Sequence, residues 1–163
     1  MNGQQRPFTT VAPPPAQGLM VAYLTPILAP TPVATRLPVP SKTEDTVNNF
    51  LRVESAGGVP HGNDQVLFDA SVILHSYCPN DQESQGEQLM AEALAWAGNA
   101  QGLYIRHAST QVDYFVTYSR ITGLGMKHAD PQVAMTRFRG MVTWTIHGIA
   151  KDFNFTDDPG SHV

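Results

Sequence analysis

The sequence predicts an α+β domain: a mostly antiparallel four- to five-stranded sheet with two helices packed on one face, an extended N-terminal arm and a C-terminal tail. Three observations predict it. Segments near 49–55, 65–77, 112–119 and 137–147 alternate apolar and polar residues with the period of two that belongs to strands. Segments near 18–28 and 80–98 repeat apolar residues at three and four, the helical period. The 13 prolines and 13 glycines among 163 residues argue against a helical bundle.

Nine of the prolines lie in the first 40 residues, and residues 1–16 have no apolar period, so they read as an arm. Leu19, Met20, Tyr23, Leu24, Ile27 and Leu28 then mark a short helix that Pro26 kinks or shortens. Val33 to Val39 reads as extended, with Pro32, Pro38 and Pro40 favouring a sheet edge. Leu51 and Val53 alternate with Arg52 and Glu54. The turn-rich loop 57–64 follows, and a longer run then places Val66, Phe68, Ala70, Val72 and Leu74 on one face and Asp69, Ser71, His75 and Tyr77 on the other. The two runs predict an antiparallel hairpin with a long tip.

Residues 80–98 predict the main helix, with Asn80 as N-cap, Glu83 completing a capping box and Gly98 as the stop. Leu89, Met90, Ala93, Leu94, Trp96 and Ala97 form its apolar stripe, which must be buried against the sheet. Val112, Tyr114, Val116 and Tyr118 share one strand face. After a glycine-containing loop at 123–125, Phe138, Val142, Trp144 and Ile146 alternate with Arg137, Arg139, Thr143, Thr145 and His147. The domain therefore spans 17–150, between the arm of 1–16 and a polar tail of 151–163.

No catalytic, cofactor-binding or metal-ligating residue emerges. The chain lacks a phosphate-binding glycine loop and a G-x-S-x-G elbow, and Gly123-Leu124-Gly125 reads as a loop without the third glycine of a dinucleotide fingerprint. The six histidines are scattered, with His75 and His147 on polar strand faces where they could be solvent-facing neighbours. Cys78 is the single cysteine and reads as a packed thiol. The expectation is a protein that is not an enzyme and needs no cofactor. No apolar run reaches the roughly 20 residues of a membrane span, and the start lacks signal-peptide features, so an intracellular chain without membrane contact is expected.

Charge is more informative. The net charge is −4 and charged residues are 15% of the chain, which disfavours a basic nucleic-acid binder and an acidic disordered tail protein. Residues 41–100 hold nine acids and two bases, whereas 106–139 carry a balance of +3. One acidic and one mildly basic side suit head-to-tail docking into a ring. The expected ring contacts are Glu83, Glu87 and Glu92 of the helix and Arg137 and Arg139 of the last strand.

The order of elements, together with particular residues, resembles the tail terminator family of long-tailed (siphovirus-type) phages infecting actinobacteria. The short helix Leu19–Leu28 leads to an extended segment with Arg36, then to Arg52-Val53-Glu54-Ser55-Ala56-Gly57-Gly58 and the strand Phe68-Asp69-Ala70-Ser71-Val72. The acidic helix, the loop Ala129-Asp130-Pro131-Gln132 and the strand Arg137-Phe138-Arg139-Gly140-Met141-Val142-Thr143-Trp144 complete the resemblance, which covers roughly 18–148. The opening Asp64-Gln65-Val66-Leu67 lacks that family's arginine–proline pair, and the arm and tail have no counterpart.

The resemblance implies a virion structural protein in the tail and neck, assembled in the host cytoplasm. It would form a homo-hexameric ring that caps the tail tube, ends its growth and docks the head-completion (neck) proteins. DNA would pass through the lumen without sequence-specific binding. Axial contacts with the tail tube protein or neck would come from Val59, His61 and Asn63 in one loop and Leu124, Met126 and Lys127 in the other. The alternatives are a head-closure or connector protein of the same neck, or a small non-catalytic α+β binding domain with a deep apolar pocket.

Overall fold

The computed structural model describes residues 8–37, 49–63, 66–128 and 135–153. The ends of both predicted axial loops (Asp64; Ala129 and Asp130), the segment 131–134, the arm's first seven residues and the tail beyond Phe153 lie outside the described residues. Chain order is β1 (Phe8–Ala12), α1 (Ala16–Leu28), β2 (Val33–Ala34), β3 (Phe50–Pro60), β4 (Leu67–Cys78), α2 (Glu83–Gly98), β5 (Tyr104–Arg106), β6 (Asp113–His128), β7 (Thr136–His147) and β8 (Ile149–Phe153).

The expected four- to five-stranded antiparallel sheet is corrected to a mixed six-stranded sheet, β2-β3-β4-β7-β6-β5, curled into a half-barrel. The two extra strands are short. β2 joins β3 in parallel through Val33↔Leu51 and Ala34↔Arg52, and β5 joins β6 through three pairs. β2 falls at the start of the segment Val33 to Val39 that reads as extended at a sheet edge, whereas β5, three residues long, is too short to display a period of two. The curl has a local cause as well: the ladder slips between Ser55 and Gly58 on β3 and at several points on β6, and each bulge adds bend and twist. Gly57 takes φ +82° in the β3 bulge, a conformation open to glycine. Residues 8–12 of the arm form a second, two-stranded sheet with 149–153.

The predicted hairpin forms, with Phe50↔Tyr77 through Pro60↔Phe68, but β3 continues through the double glycine to Pro60 and shortens the tip. Residues 123–125, expected as a loop, lie inside β6. The β6 face assignment also changes. Val116 pairs with Ile146, the next pair is Tyr118↔Thr145, and this slip turns Tyr118 outward and buries Ser119, whose hydroxyl donates to the Gly98 carbonyl at 2.7 Å. In β4, Val66, expected with the apolar face, precedes the strand and is 43% exposed, while His75 and Tyr77 of the polar face are buried.

The core lies between the even-numbered face of β7 and the helices. Leu89, Met90, Ala93, Leu94 and Ala97 of α2 pack with Phe138, Val142, Trp144 and Ile146, and Leu19, Met20 and Leu24 of α1 join the same cluster. Two details of α2 depart from expectation. A turn in which Gln82 N–H donates to the Pro79 carbonyl uses up the cap position, so α2 starts at Glu83 and Asn80 accepts a hydrogen bond from the Thr136 hydroxyl at 3.0 Å. Trp96 is 51% exposed, and the place nearest β4 goes to Gly86. A Cβ at Gly86 would fall on the Cys78 sulfur. Gly86→Val should therefore lever α2 off β4 and cost about 1–3 kcal/mol of stability, read as a lower urea midpoint; an unchanged midpoint would exclude this close approach.

Candidate functional site

Strand alternation gives the sheet two chemically different faces. α2 covers the even-numbered residues of β7. The odd-numbered residues of β7 and their partners in the ladder form successive rows on the other face. At one end lie Phe50, Tyr77, Arg137 and His128; next come Arg52, His75, Arg139 and Met126; further along are Ser71, Thr143 and Arg120; then Val59, Asp69, Thr145 and Tyr118.

Two acids on this face are engaged within the chain. His75 is buried between Arg52 and Arg139 in its row and bonds Glu54 Oε2 through Nε2 at 2.7 Å. Its Nδ1 is buried without a partner, which fits a neutral imidazole that donates from Nε2 and keeps its lone pair on Nδ1. Burial pushes the His75 pKa down, outweighing the Glu54 hydrogen bond that raises it. Glu54 is held low first by the hydrogen bond from His75 and then, against partial desolvation, by the Arg52 charge. Asp69 is desolvated, yet hydrogen bonds from Thr145 (2.6 Å) and His61 (2.9 Å to Oδ2) outweigh that and keep it low.

These shifts fix a sign. Below the ordinary histidine value of about 6.5 the unfolded chain takes up a proton that native His75 refuses, so stability falls as pH drops through that value. The lowered Glu54 contributes in the same sense at still lower pH, its stability being lost as pH falls through its folded value. The melting temperature should decline from pH 7 to 5, and His75→Phe should flatten that decline. Parallel curves for the two proteins would rule His75 out as a source.

The predicted contact residues divide. Glu83 receives the Lys127 ammonium at 2.8 Å, so a residue expected at a subunit interface and one expected at an axial contact are brought together inside one chain. Glu87 and Glu92 stay on the solvent side of α2, with Gln88 Nε2 donating to Glu92 at 3.1 Å. Arg137 and Arg139 lie across the sheet from α2, on the odd face. Val59 (62% exposed), His61 and Asn63 belong to the β3–β4 hairpin, at the His147 end of β7. Leu124 (79%) and Met126 (62%) are exposed on the far half of β6, toward the Thr136 end. The two sets thus lie toward opposite ends of the sheet. His75 and His147 are not neighbours: they pair with Arg139 and Leu67, and His75 is buried.

Sequence reasoning missed the sheet's margins. Among the described residues, β2 covers β3 only at Leu51 and Arg52, and β5 covers β6 only as far as Phe115. Among the described residues, Glu54–Pro60 and Thr117–His128 therefore have no strand partner on their outer sides and form open edges on opposite sides of one sheet. Edges of this length are normally shielded, because they present unpaired backbone groups to other chains. Beside the β6 edge, Met90, Leu94, Ile121, Leu124 and Phe138 line an apolar groove of about 290 Å³ with Glu87 at its rim. Beside the β3 edge, Pro13–Pro15 flank a groove of about 350 Å³. Among the described residues no three His, Cys, Asp or Glu side chains are placed to share a metal, and no helix is long and apolar enough to cross a membrane. No protein-family model and no curated protein matches the chain.

Proposed function

We propose that the chain is the repeating subunit of a closed ring in the neck of a long-tailed phage, where it caps the tail tube, ends its growth and receives the head-completion protein. The observation that carries this reading is the pair of open edges. β3, β4, β7 and β6 alternate in direction, so β3 and β6 run antiparallel to each other. Copies related by rotation about an axis along the strands would bring β6 of one antiparallel to β3 of the next. Such a contact is heterologous and satisfies edges by closing into a ring. One further feature supports this arrangement, whereas the exposed acids of α2 and the Arg137–Arg139 pair lie on opposite faces and would meet only between copies stacked face to face. The hairpin residues near Val59 and the β6 residues near Leu124 point to opposite ends, as contacts to tube and neck would require.

Native mass spectrometry of the purified chain should give a six-copy species, and a monomer at all concentrations would sink the ring. In the phage, a nonsense allele of this chain should yield overlong tails beside DNA-filled heads. Detached tails of normal length would move the protein to the head-closure position.

A further inference from the structure

The odd-numbered sheet face carries an aromatic row and Arg120, which the subunit contacts proposed above do not use. Tyr104 is 73% exposed and meets Phe115 at a tilt of 46° with ring centroids 4.9 Å apart, and Phe115 lies 6.0 Å from the exposed ring of His147. These rings come from β5, β6 and β7 and form one row across three neighbouring strands. The β6 slip adds Tyr118, 50% exposed, to the same face. Arg120 follows two residues on, about 7 Å along the strand, and Arg139 stands further down β7; both are exposed.

We propose that this face binds single-stranded nucleic acid, with bases stacked on Tyr104, Phe115, His147 and Tyr118 and phosphates held by Arg120. The charge fits a polyanion. Among the described residues the face carries Arg52, Arg106, Arg120, Arg137 and Arg139 against three acids, and each of these acids is already engaged: Glu54 by Arg52 and His75, Asp69 by His61 and Thr145, and Asp113 by Arg106 at 2.9 and 3.2 Å. A protein partner would want an apolar centre. Here the centre is hydroxyl, with Ser71 bonded to Thr143 at 2.9 Å and Thr122 at 3.4 Å from Thr143. A duplex keeps its bases stacked inside and offers these rings no π-face, whereas an unpaired strand offers one at every nucleotide. Among the described residues, Glu83, Glu87 and Glu92 belong to α2, across the sheet from this face.

The test is fluorescence anisotropy of a labelled oligothymidylate titrated with the full chain at several salt concentrations. Saturable binding that weakens with salt is expected. Tyr104→Ala and Tyr118→Ala should each weaken it about tenfold, with Tyr→Phe at either position close to the parent, because the ring and not the hydroxyl stacks. Arg120→Gln should make the slope of log affinity against log salt shallower by about 0.7. Both tyrosines are exposed, and unchanged melting temperatures would confirm that the variants fold. Absence of binding would overturn the proposal. So would binding that both alanine variants retain, which would leave only diffuse electrostatic attraction. A third overturning result is that the alanine variants alter self-association and leave DNA affinity untouched, marking the face as a protein contact.

Discussion

Trp144→Ala should lower the melting temperature by about 10 °C. Trp144 is fully buried at the centre of the even-numbered sheet face. Its indole N–H donates to the Ala97 carbonyl at 2.7 Å, near the C-terminus of α2, where the last helical carbonyls have no partner within the helix. Tyr23 of α1 meets the same ring edge-on at 5.7 Å. One side chain therefore ties both helices to β7. Truncation removes the apolar volume, leaves a cavity and strips the carbonyl of its donor, and a buried Trp→Ala change costs about 3–5 kcal/mol. At about 2–4 °C per kcal/mol for a chain of this size, the fall is well outside measurement error. Trp144→Phe should fall between the two, since it restores most of the volume and none of the hydrogen bond. A loss of only a degree or two for the alanine variant would mean that this junction is not the centre of the core.

Reversing Arg137 and Arg139 to glutamate should shift self-association to at least about a hundredfold higher concentration, read by mass photometry. Edge pairing keeps α2 on one side of the continued sheet and these arginines on the other, so they would meet Glu87 and Glu92 only where the odd face of one copy stacks on α2 of another, and like charges at such a contact cost several kcal/mol. Glu87→Lys with Glu92→Lys should have the same effect. The diagnostic case is the chain carrying all four changes, whose swapped charges should associate again. Reversal that leaves association untouched would remove these residues from the interface. Failure of the four-fold variant to recover, with its melting temperature preserved, would place the arginines in a contact with some other group.

How much was legible follows from length scales. The hairpin, the main helix and the β7 alternation are long enough to show a period, and Val53, Val72, Leu74, Phe138, Val142, Trp144 and Ile146 could be assigned to the core from it. What failed was local in another way. The capping box at Asn80 lost to a turn at Pro79 and to Thr136, a partner 56 residues away. Gly123-Leu124-Gly125 has loop composition, yet glycine is what permits β6 to pass α2: a Cβ at Gly125 would lie 2.7 Å from Met90 Cγ. The shift of Tyr118 to the odd face depends on one slipped residue that no composition announces. Glu83 and Lys127 could be singled out by charge, but only folding showed that they bond each other.

The sequence by itself determined the order of the long elements, the apolar face of β7 and the split between an acidic middle and a more basic later half, because period and charge are properties of the local chain. Tertiary structure alone decided β5, the parallel pairing of β2, the curl, the burial of His75 and the margins of β3 and β6. It also decided which side of the sheet the aromatic row shares with the arginines. Each of these depends on pairing between distant residues, and a one-residue change of register reverses the face to which a side chain belongs.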